Sequence, residues 1–382
     1  MKIGFDGKRA AQNRTGLGNY SRFVLRILSE QHPENEYHLF MPKRHKTPYL
    51  HEIPTLPSLH CHFPLAPVAQ KLASLWRVWG MTTDLQREGI EVFHGLSNEL
   101  PLNIRRAHCR SVVTIHDLIF LRYPQYYRPI DRFIYNYKFR RACIHADKII
   151  AVSEYTKREI VHFYGIEPEK IEVVYQGCDS IFAQQPSQQQ MDEVKALYHL
   201  PQSFLLYVGS IEERKNLMLV AKALKQMKEA GTPDAQLPHV VAVGRRTAYT
   251  NRLQAYLNRH GLTASFTFLH GVGYAHLPVL YHLATAFVYP SRIEGFGIPL
   301  LEAVTASLPA IGCTGSCLEE AGGEGCIYVH PDDAEGMATA IGRVMSDEVL
   351  RAQMIERGRQ QALRFSDEAL CRDLLRVYSS LQ

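Results

Sequence analysis

Short apolar runs alternate with helical stretches twice along this chain of 382 residues, and that double alternation limits the folds open to it. In the first half, runs rich in Val, Ile and Phe fall at 2–6, 37–41, 91–94, 111–115, 148–152 and 171–175. Segments with helical spacing lie between them, among them 20–28 (apolar at 20, 23, 24, 27 and 28), 68–88, 127–143 and 155–163. Short apolar strands alternating with helices predict a parallel, doubly wound α/β sheet. The polar stretch 183–190, Ala-Gln-Gln-Pro-Ser-Gln-Gln-Gln, breaks the pattern as a linker would. The alternation then restarts, with runs at 204–208, 239–243, 265–269, 286–289, 309–312 and 326–329. The expected organisation is two Rossmann-like domains, 1–183 and 184–365. In folds of this class ligands bind at the carboxyl ends of the strands, so the expected site is a cleft between the two sheets.

One segment carries the most chemistry. Residues 289–302 read Tyr-Pro-Ser-Arg-Ile-Glu-Gly-Phe-Gly-Ile-Pro-Leu-Leu-Glu. The apolar run before it reads as a buried strand ending at a site. Gly295 and Gly297 allow a tight backbone approach, and Pro299 suits the start of a helix. The free amides and positive dipole of such a helix start favour phosphate. Glu294 and Glu302 bracket the turn, so a diphosphate facing the amides would place a nucleoside near Glu302 and a sugar near Glu294. Spacing alone does not establish this, because a glutamate in a first helical turn also complements the dipole.

Other segments qualify in the same way. Behind the run at 204–208 comes Gly209-Ser-Ile-Glu-Glu-Arg-Lys-Asn216, where a glycine and then two adjacent cations, Arg214 and Lys215, would suit a diphosphate. In isolation such a pair is more often a solvated surface. Thr15-Gly-Leu-Gly-Asn-Tyr20 precedes a helix. It lacks the third glycine of a dinucleotide fingerprint and starts too far beyond its strand, which argues against a pyridine-nucleotide dehydrogenase. His116-Asp117 follows the run at 111–115; a histidine there can bond a sugar hydroxyl or assist proton transfer, while Asp117 suits a cap. Gly244 and the stretch His270-Gly271-Val272 end two further strands.

These segments together resemble the retaining glycosyltransferases of family 4, which have the GT-B fold, and the resemblance runs in order from Asp6 to the last helix. Residues 289–302 are similar to the family's Glu-x7-Glu signature. By that resemblance Glu302 binds the ribose hydroxyls and Glu294 the transferred sugar. Lys215 matches a diphosphate-binding lysine. Ser210 stands where many members have an arginine, and Arg214 is the candidate substitute. Gly16 and Gly18 match the N-terminal glycine loop over the donor phosphates. His116 matches a histidine lining the reaction centre. Gly209, Gly244, Gly271, Val272, Gly295, Phe296, Gly297 and Ile298 complete the donor-binding set, and the catalytic set is His116, Glu294 and Lys215. The family also implies a terminal helix, at about 366–382, that crosses back onto the first domain. It implies no metal or other cofactor; the chain has no Asp-x-Asp pair to hold Mg²⁺ against phosphates.

The branch it looks most like is the bacterial mannosyl- and glucosyltransferases of surface polysaccharide assembly. The expected donor is a GDP- or UDP-sugar, mannose first and glucose or another hexose next. The expected acceptor is a saccharide or a lipid-linked saccharide. Two alternatives stay open: a sugar-nucleotide epimerase or hydrolase of the same fold, and a non-catalytic nucleotide-sugar-binding protein.

Composition narrows the setting. A hydrophobic content of 46% with 21% charged residues is that of an ordinary globular chain. Lys2, Asp6, Lys8 and Arg9 interrupt the start before any signal core, and no run reaches the 18 or so apolar residues of a membrane span. The expected location is cytoplasmic. The eight cysteines show no paired metal spacing and read as small buried residues. Residues 1–183 hold 25 Lys/Arg against 18 Asp/Glu, whereas 184–382 hold 18 against 20. Basic clusters lie at 43–46, 105–106 and 128–141 with no nucleic-acid motif beside them. The basic half therefore suits peripheral contact with an anionic membrane face or a phosphorylated lipid acceptor, or is simply a solvated surface. The stretch 61–80, with Trp76 and Trp79, reads as a buried helix before it reads as a lipid-touching one.

Overall fold

The computed structural model describes residues 1–13, 15–44, 47–53, 55–65, 70 and 72–381. Parts of the basic cluster 43–46 and of the stretch 61–80 therefore lie outside the described residues. The chain forms two compact units, Met1–Gly177 with Ser366–Gln382, and Cys178–Phe365. The division falls six residues before the boundary expected at 183. Cys178 Sγ meets Thr305 Oγ1 at 3.3 Å, Asp179 accepts from the Tyr274 hydroxyl at 3.0 Å, and the ring of Phe182 packs edge-on against Tyr281. These contacts tie 178–183 to the second unit, and the glutamine-rich stretch after them starts a helix, Gln188–Leu197, with Ser187 and Gln190 as a capping box.

The first unit holds β1 (Lys2–Asp6), β2 (Glu36–Phe40), β3 (Leu59–His62), β4 (Val92–Gly95), β5 (Arg110–Ile115), β6 (Lys148–Ala151) and β7 (Ile171–Val173). They form one sheet in the order β3-β2-β1-β4-β5-β6-β7, with every pair parallel. The central strands are apolar and buried on both faces because helices cover both, as a parallel sheet requires. β3 was not expected: Leu-His-Cys-His has one strongly apolar residue and sits at the sheet edge, where burial does not demand more.

The helix Asp367–Ser379 belongs to this unit. Leu370, Cys371, Leu374, Val377 and Tyr378 enter the same buried cluster as Val24, Ile27 and Leu28 of the Gly16–Gln31 helix. An Arg26–Asp367 ion pair at 2.8 Å closes the edge of that contact.

The second unit holds β8 (Leu205–Val208), β9 (Val240–Val243), β10 (Phe266–Leu269), β11 (Ala286–Tyr289), β12 (Ala310–Cys313) and β13 (Cys326–Val329). Their order is β10-β9-β8-β11-β12-β13, again all parallel. β8 and β11 are neighbours, so the loops leaving their carboxyl ends lie side by side. That pairing brings together segments about 80 residues apart in sequence.

All eight cysteines are free. Cys143, Cys313, Cys317, Cys326 and Cys371 are buried as expected, but Cys109 and Cys178 are half-buried and Cys61 is exposed on the edge strand. Among the described residues no helix is long and apolar enough to cross a membrane.

Candidate functional site

In the second unit the site is built on the carboxyl ends of β8 and β11. Gly209 follows β8 with φ of 152°, and its carbonyl oxygen lies 1.8 Å from where a Cβ on Gly244 would stand, so the ends of β8 and β9 touch only because residue 244 is glycine. The chain then makes a short turn over Glu213–Lys215 and closes it at Asn216, which takes a left-handed φ of 58° and donates to the Pro331 carbonyl at 2.8 Å. The Arg292 amide donates to the Arg214 carbonyl at 3.0 Å, strapping this turn to the loop after β11.

The strap aims both cations at Glu294. Lys215 Nζ lies 2.6 Å from Glu294 Oε1, and Arg214 Nη1 lies 3.0 Å from Oε2. Oε1 also accepts from Ser291 Oγ at 2.5 Å and Tyr289 Oη at 3.1 Å. Lys215 donates to Tyr289 Oη and sits 4.9 Å from that ring's centre, and Arg214 also bonds the Ile293 carbonyl and Glu212. Burial by itself would raise the Glu294 carboxyl; Arg214 and Lys215, with hydrogen bonds from Lys215 and Ser291, outweigh it and hold the group down at about 2. Each such charge-assisted bond is worth about 1.5–3 kcal/mol, which explains how four of them overcome the desolvation. Glu294 is thus a fixed anion with a cation on each side.

Glu302 is the opposite case. Gly297, at φ of 104°, opens the helix Ile298–Thr305, and a Cβ there would meet Leu318 Cδ2 at 2.6 Å. Glu302 sits one turn along and accepts from the Tyr281 hydroxyl at 2.8 Å. It forms no ion pair among the described residues. Burial, helped by the nearby Asp179 charge, pushes its carboxyl up to about 7 against the single opposing bond from Tyr281. One carboxylate of the pair stays ionised at any ordinary pH, and the other is poised to change charge.

The remaining second-unit positions flank these loops. Gly244 follows β9, and its carbonyl accepts from His270 Nδ1 at 2.6 Å. Gly271, exposed and at φ of 73°, and the half-buried Val272 follow β10. The sheet order thus brings Gly209, Arg214, Lys215, Gly244, Gly271, Val272 and residues 294–298 to one edge. Tyr289, Ser291 and Tyr281 complete it and were not singled out from the sequence. Tyr289 and Ser291 lie inside the segment 289–302, where the sequence pattern marks only a strand end and a turn; nothing in the sequence marks Tyr281.

In the first unit Gly16, Gly18 and His116 sit beyond the carboxyl ends of β1 and β5. A Cβ on Gly18 would fall 1.8 Å from the Asn13 carbonyl oxygen, whereas one on Gly16 would meet nothing within 4 Å. Packing therefore demands glycine at 18 and leaves 16 free for another purpose.

His116 is buried, with both ring nitrogens engaged. Nε2 donates to the Leu96 carbonyl at 2.9 Å, and the Gln176 amide donates to Nδ1 at 2.8 Å. Burial lowers its pKa to about 4, so the ring is neutral at pH 7. In this arrangement Nδ1 accepts and Nε2 donates, so both ring nitrogens are engaged. Gln176, just past β7, was missed; a polar residue at a strand's carboxyl end was the available signal. Asp117 caps the following turn through the Ile119 amide, and Ser153 caps Glu154–Tyr164.

Two family models match the chain one after the other, Glycosyltransferase Family 4 over residues 20–181 and Glycosyl transferases group 1 over residues 188–361. The chain belongs to the GT-B glycosyltransferases of family 4. This glycosyltransferase is 25% identical to O-antigen chain mannosyltransferase B of Escherichia coli across the whole of both chains. It is 28% identical to O-antigen chain mannosyltransferase RfbU of Salmonella typhimurium over 60% of each. Among solved structures, Anabaena Alr3699/HepE in complex with UDP-glucose superimposes with a TM-score of 0.76 over the whole of both chains at 17% identity. Sucrose-phosphate synthase from Thermosynechococcus elongatus superimposes with the same score over 100% of this chain and 99% of that one, at 18% identity. Both likenesses report the shared fold.

Proposed function

We propose that this glycosyltransferase moves a mannosyl group from GDP-mannose to a growing, lipid-linked saccharide in O-antigen-type polysaccharide synthesis, with retention at the anomeric carbon. The observation that carries the reading is the buried set of Arg214, Lys215 and Glu294 at the junction of β8 and β11. The diphosphate oxygens accept from Arg214 and Lys215, which neutralise the leaving group as the bond to the sugar breaks. Glu294, fixed as an anion, accepts from hydroxyls of the transferred sugar, and Glu302 accepts from the ribose. The acceptor oxygen forms its bond on the face the diphosphate leaves, and the acceptor proton passes to the departing phosphate. With two side-chain cations on the leaving group, catalysis proceeds without a metal. The names of the two O-antigen relatives support the mannosyl donor and the saccharide acceptor.

The helix Pro129–His145 supports contact with a membrane face. Ile130, Phe133, Ile134 and Tyr137 are exposed at helical spacing along one side, with Phe133 74% open. Arg128, Arg132, Arg140 and Arg141 lie along the same segment, which suits the anionic cytoplasmic leaflet, where a lipid-linked acceptor would be presented.

The direct test is turnover of GDP-mannose, with other GDP- and UDP-hexoses as controls, with and without a lipid-linked saccharide acceptor and with no divalent ion added. Acceptor-dependent release of GDP and an α-linked product support the reading. Turnover to an epimer without acceptor, or an inverted linkage, would refute it.

A further inference from the structure

At the β3 edge of the seven-stranded sheet, β2 and β3 place three imidazoles together. Their register sets His38 beside His60, with Glu36 two residues before His38 and His62 two residues after His60. Alternation along a strand turns all four side chains to one face. The His38 ring lies 5.0 Å from each of the His60 and His62 rings.

His38 is 5% exposed, and its Nδ1 lies 2.9 Å from His62 Nε2. That short bond uses a single proton between the two rings. The outer nitrogens both face carboxylates: His38 Nε2 lies 3.6 Å from Glu36 Oε2, and His62 Nδ1 lies 3.8 Å from Glu88 Oε1. Two neutral imidazoles joined in this way carry one further N–H, so one outer nitrogen always turns a bare lone pair toward a carboxylate. The line is one donor short. The shortfall falls at His38 Nε2, which is buried and has no hydrogen-bond partner among the described residues. Lys2 pairs with Glu36 at 3.2 Å but not with this nitrogen.

We propose that Glu36, His38 and His60 bind a divalent d-block cation of the Zn²⁺ class that clips the edge strand β3 to β2. One donor atom from each already lies within 4.8 Å of the others. A tetrahedral ion with bonds of about 2.1 Å needs them at roughly 3.4 Å, a shift that the exposed Glu36 and His60 side chains can make. Two imidazoles, a carboxylate and a water form a donor set that suits zinc. With the ion on Nε2, the His38 Nδ1–H donates to His62 Nε2, and the His62 Nδ1–H points at Glu88. Every group in the line is then matched, and His62 and Glu88 orient the ligand from behind. The other grouping of donor atoms, His38 with His62 and Glu88, would have to break the 2.9 Å bond. Among the described residues β3 pairs only with β2, and it carries little apolar surface, so a metal clip stabilises what packing does not.

The test uses the full chain without an affinity tag, stripped with chelator. It is titrated with Zn²⁺ by calorimetry and with Co²⁺ by visible absorption. One ion per chain is expected, with nitrogen- and oxygen-ligand Co²⁺ bands and a raised melting temperature. His60→Gln and Glu36→Gln, both at exposed positions, should each weaken binding at least about tenfold. His51→Gln, an exposed histidine outside the cluster, should leave it unchanged. Absence of saturable binding, or binding that survives both cluster variants, overturns the proposal. Loss in Glu88→Gln with none in Glu36→Gln would overturn it too.

Discussion

Replacing Glu302 by glutamine probes the electrostatic contrast between the two glutamates. The free carboxyl titrates at about 7, because burial and Asp179 raise it and only Tyr281 opposes them. Ribose hydroxyls that donate to it prefer the ionised form, so donor affinity should rise as pH increases through 7. At pH 6 only about a tenth of the chains carry the ionised group, and at pH 8 about nine-tenths do. The apparent dissociation constant of wild type should therefore fall about tenfold between those values.

Glutamine keeps the shape and the Tyr281 contact but turns two charge-assisted bonds into neutral ones. The loss is about 1 kcal/mol per bond, or roughly thirtyfold in affinity at pH 8. At pH 6 the gap should shrink to about threefold, because the wild-type group is then mostly protonated as well. Calorimetry with GDP-mannose across pH 6–8 is the assay, since a nucleotide sugar has no phosphate group titrating in that range. A wild-type affinity independent of pH, or a Glu302→Gln variant that keeps the wild-type slope, would refute the placement of ribose at this carboxylate.

Lys215→Ala should lower turnover about a hundredfold while leaving circular dichroism and folding intact, since one of two cations on the leaving group is removed; a fully active variant would clear Lys215 of the chemistry. Phe133→Ser should reduce co-sedimentation with phosphatidylglycerol-containing vesicles about tenfold, because a fully buried apolar ring contributes roughly 1.5–3 kcal/mol. Unchanged vesicle binding would remove this helix face from the membrane contact.

What was legible in the sequence was local. Apolar runs of four or five residues mark β5, β8 and β11 because strands of a parallel sheet are covered on both faces. The turn before the Ile298–Thr305 helix was legible from Gly297 and Pro299, whose backbone limits act within a few residues. β3 escaped notice because an edge strand needs no apolar run. Its three-histidine cluster was hidden for the same reason, since His38 and His60 meet only through strand register.

Sequence by itself determined the two α/β units, the turn chemistry and the identity of the charged groups near each strand end. Tertiary structure decided what those groups do. Lys215 meets Glu294 across 79 positions only because β8 and β11 are neighbours. Glu294 and Glu302 belong to one short segment and are chemically identical, yet one titrates at about 2 and the other at about 7. The difference is whether a buried carboxylate has cations beside it, and the folded chain alone supplies those neighbours.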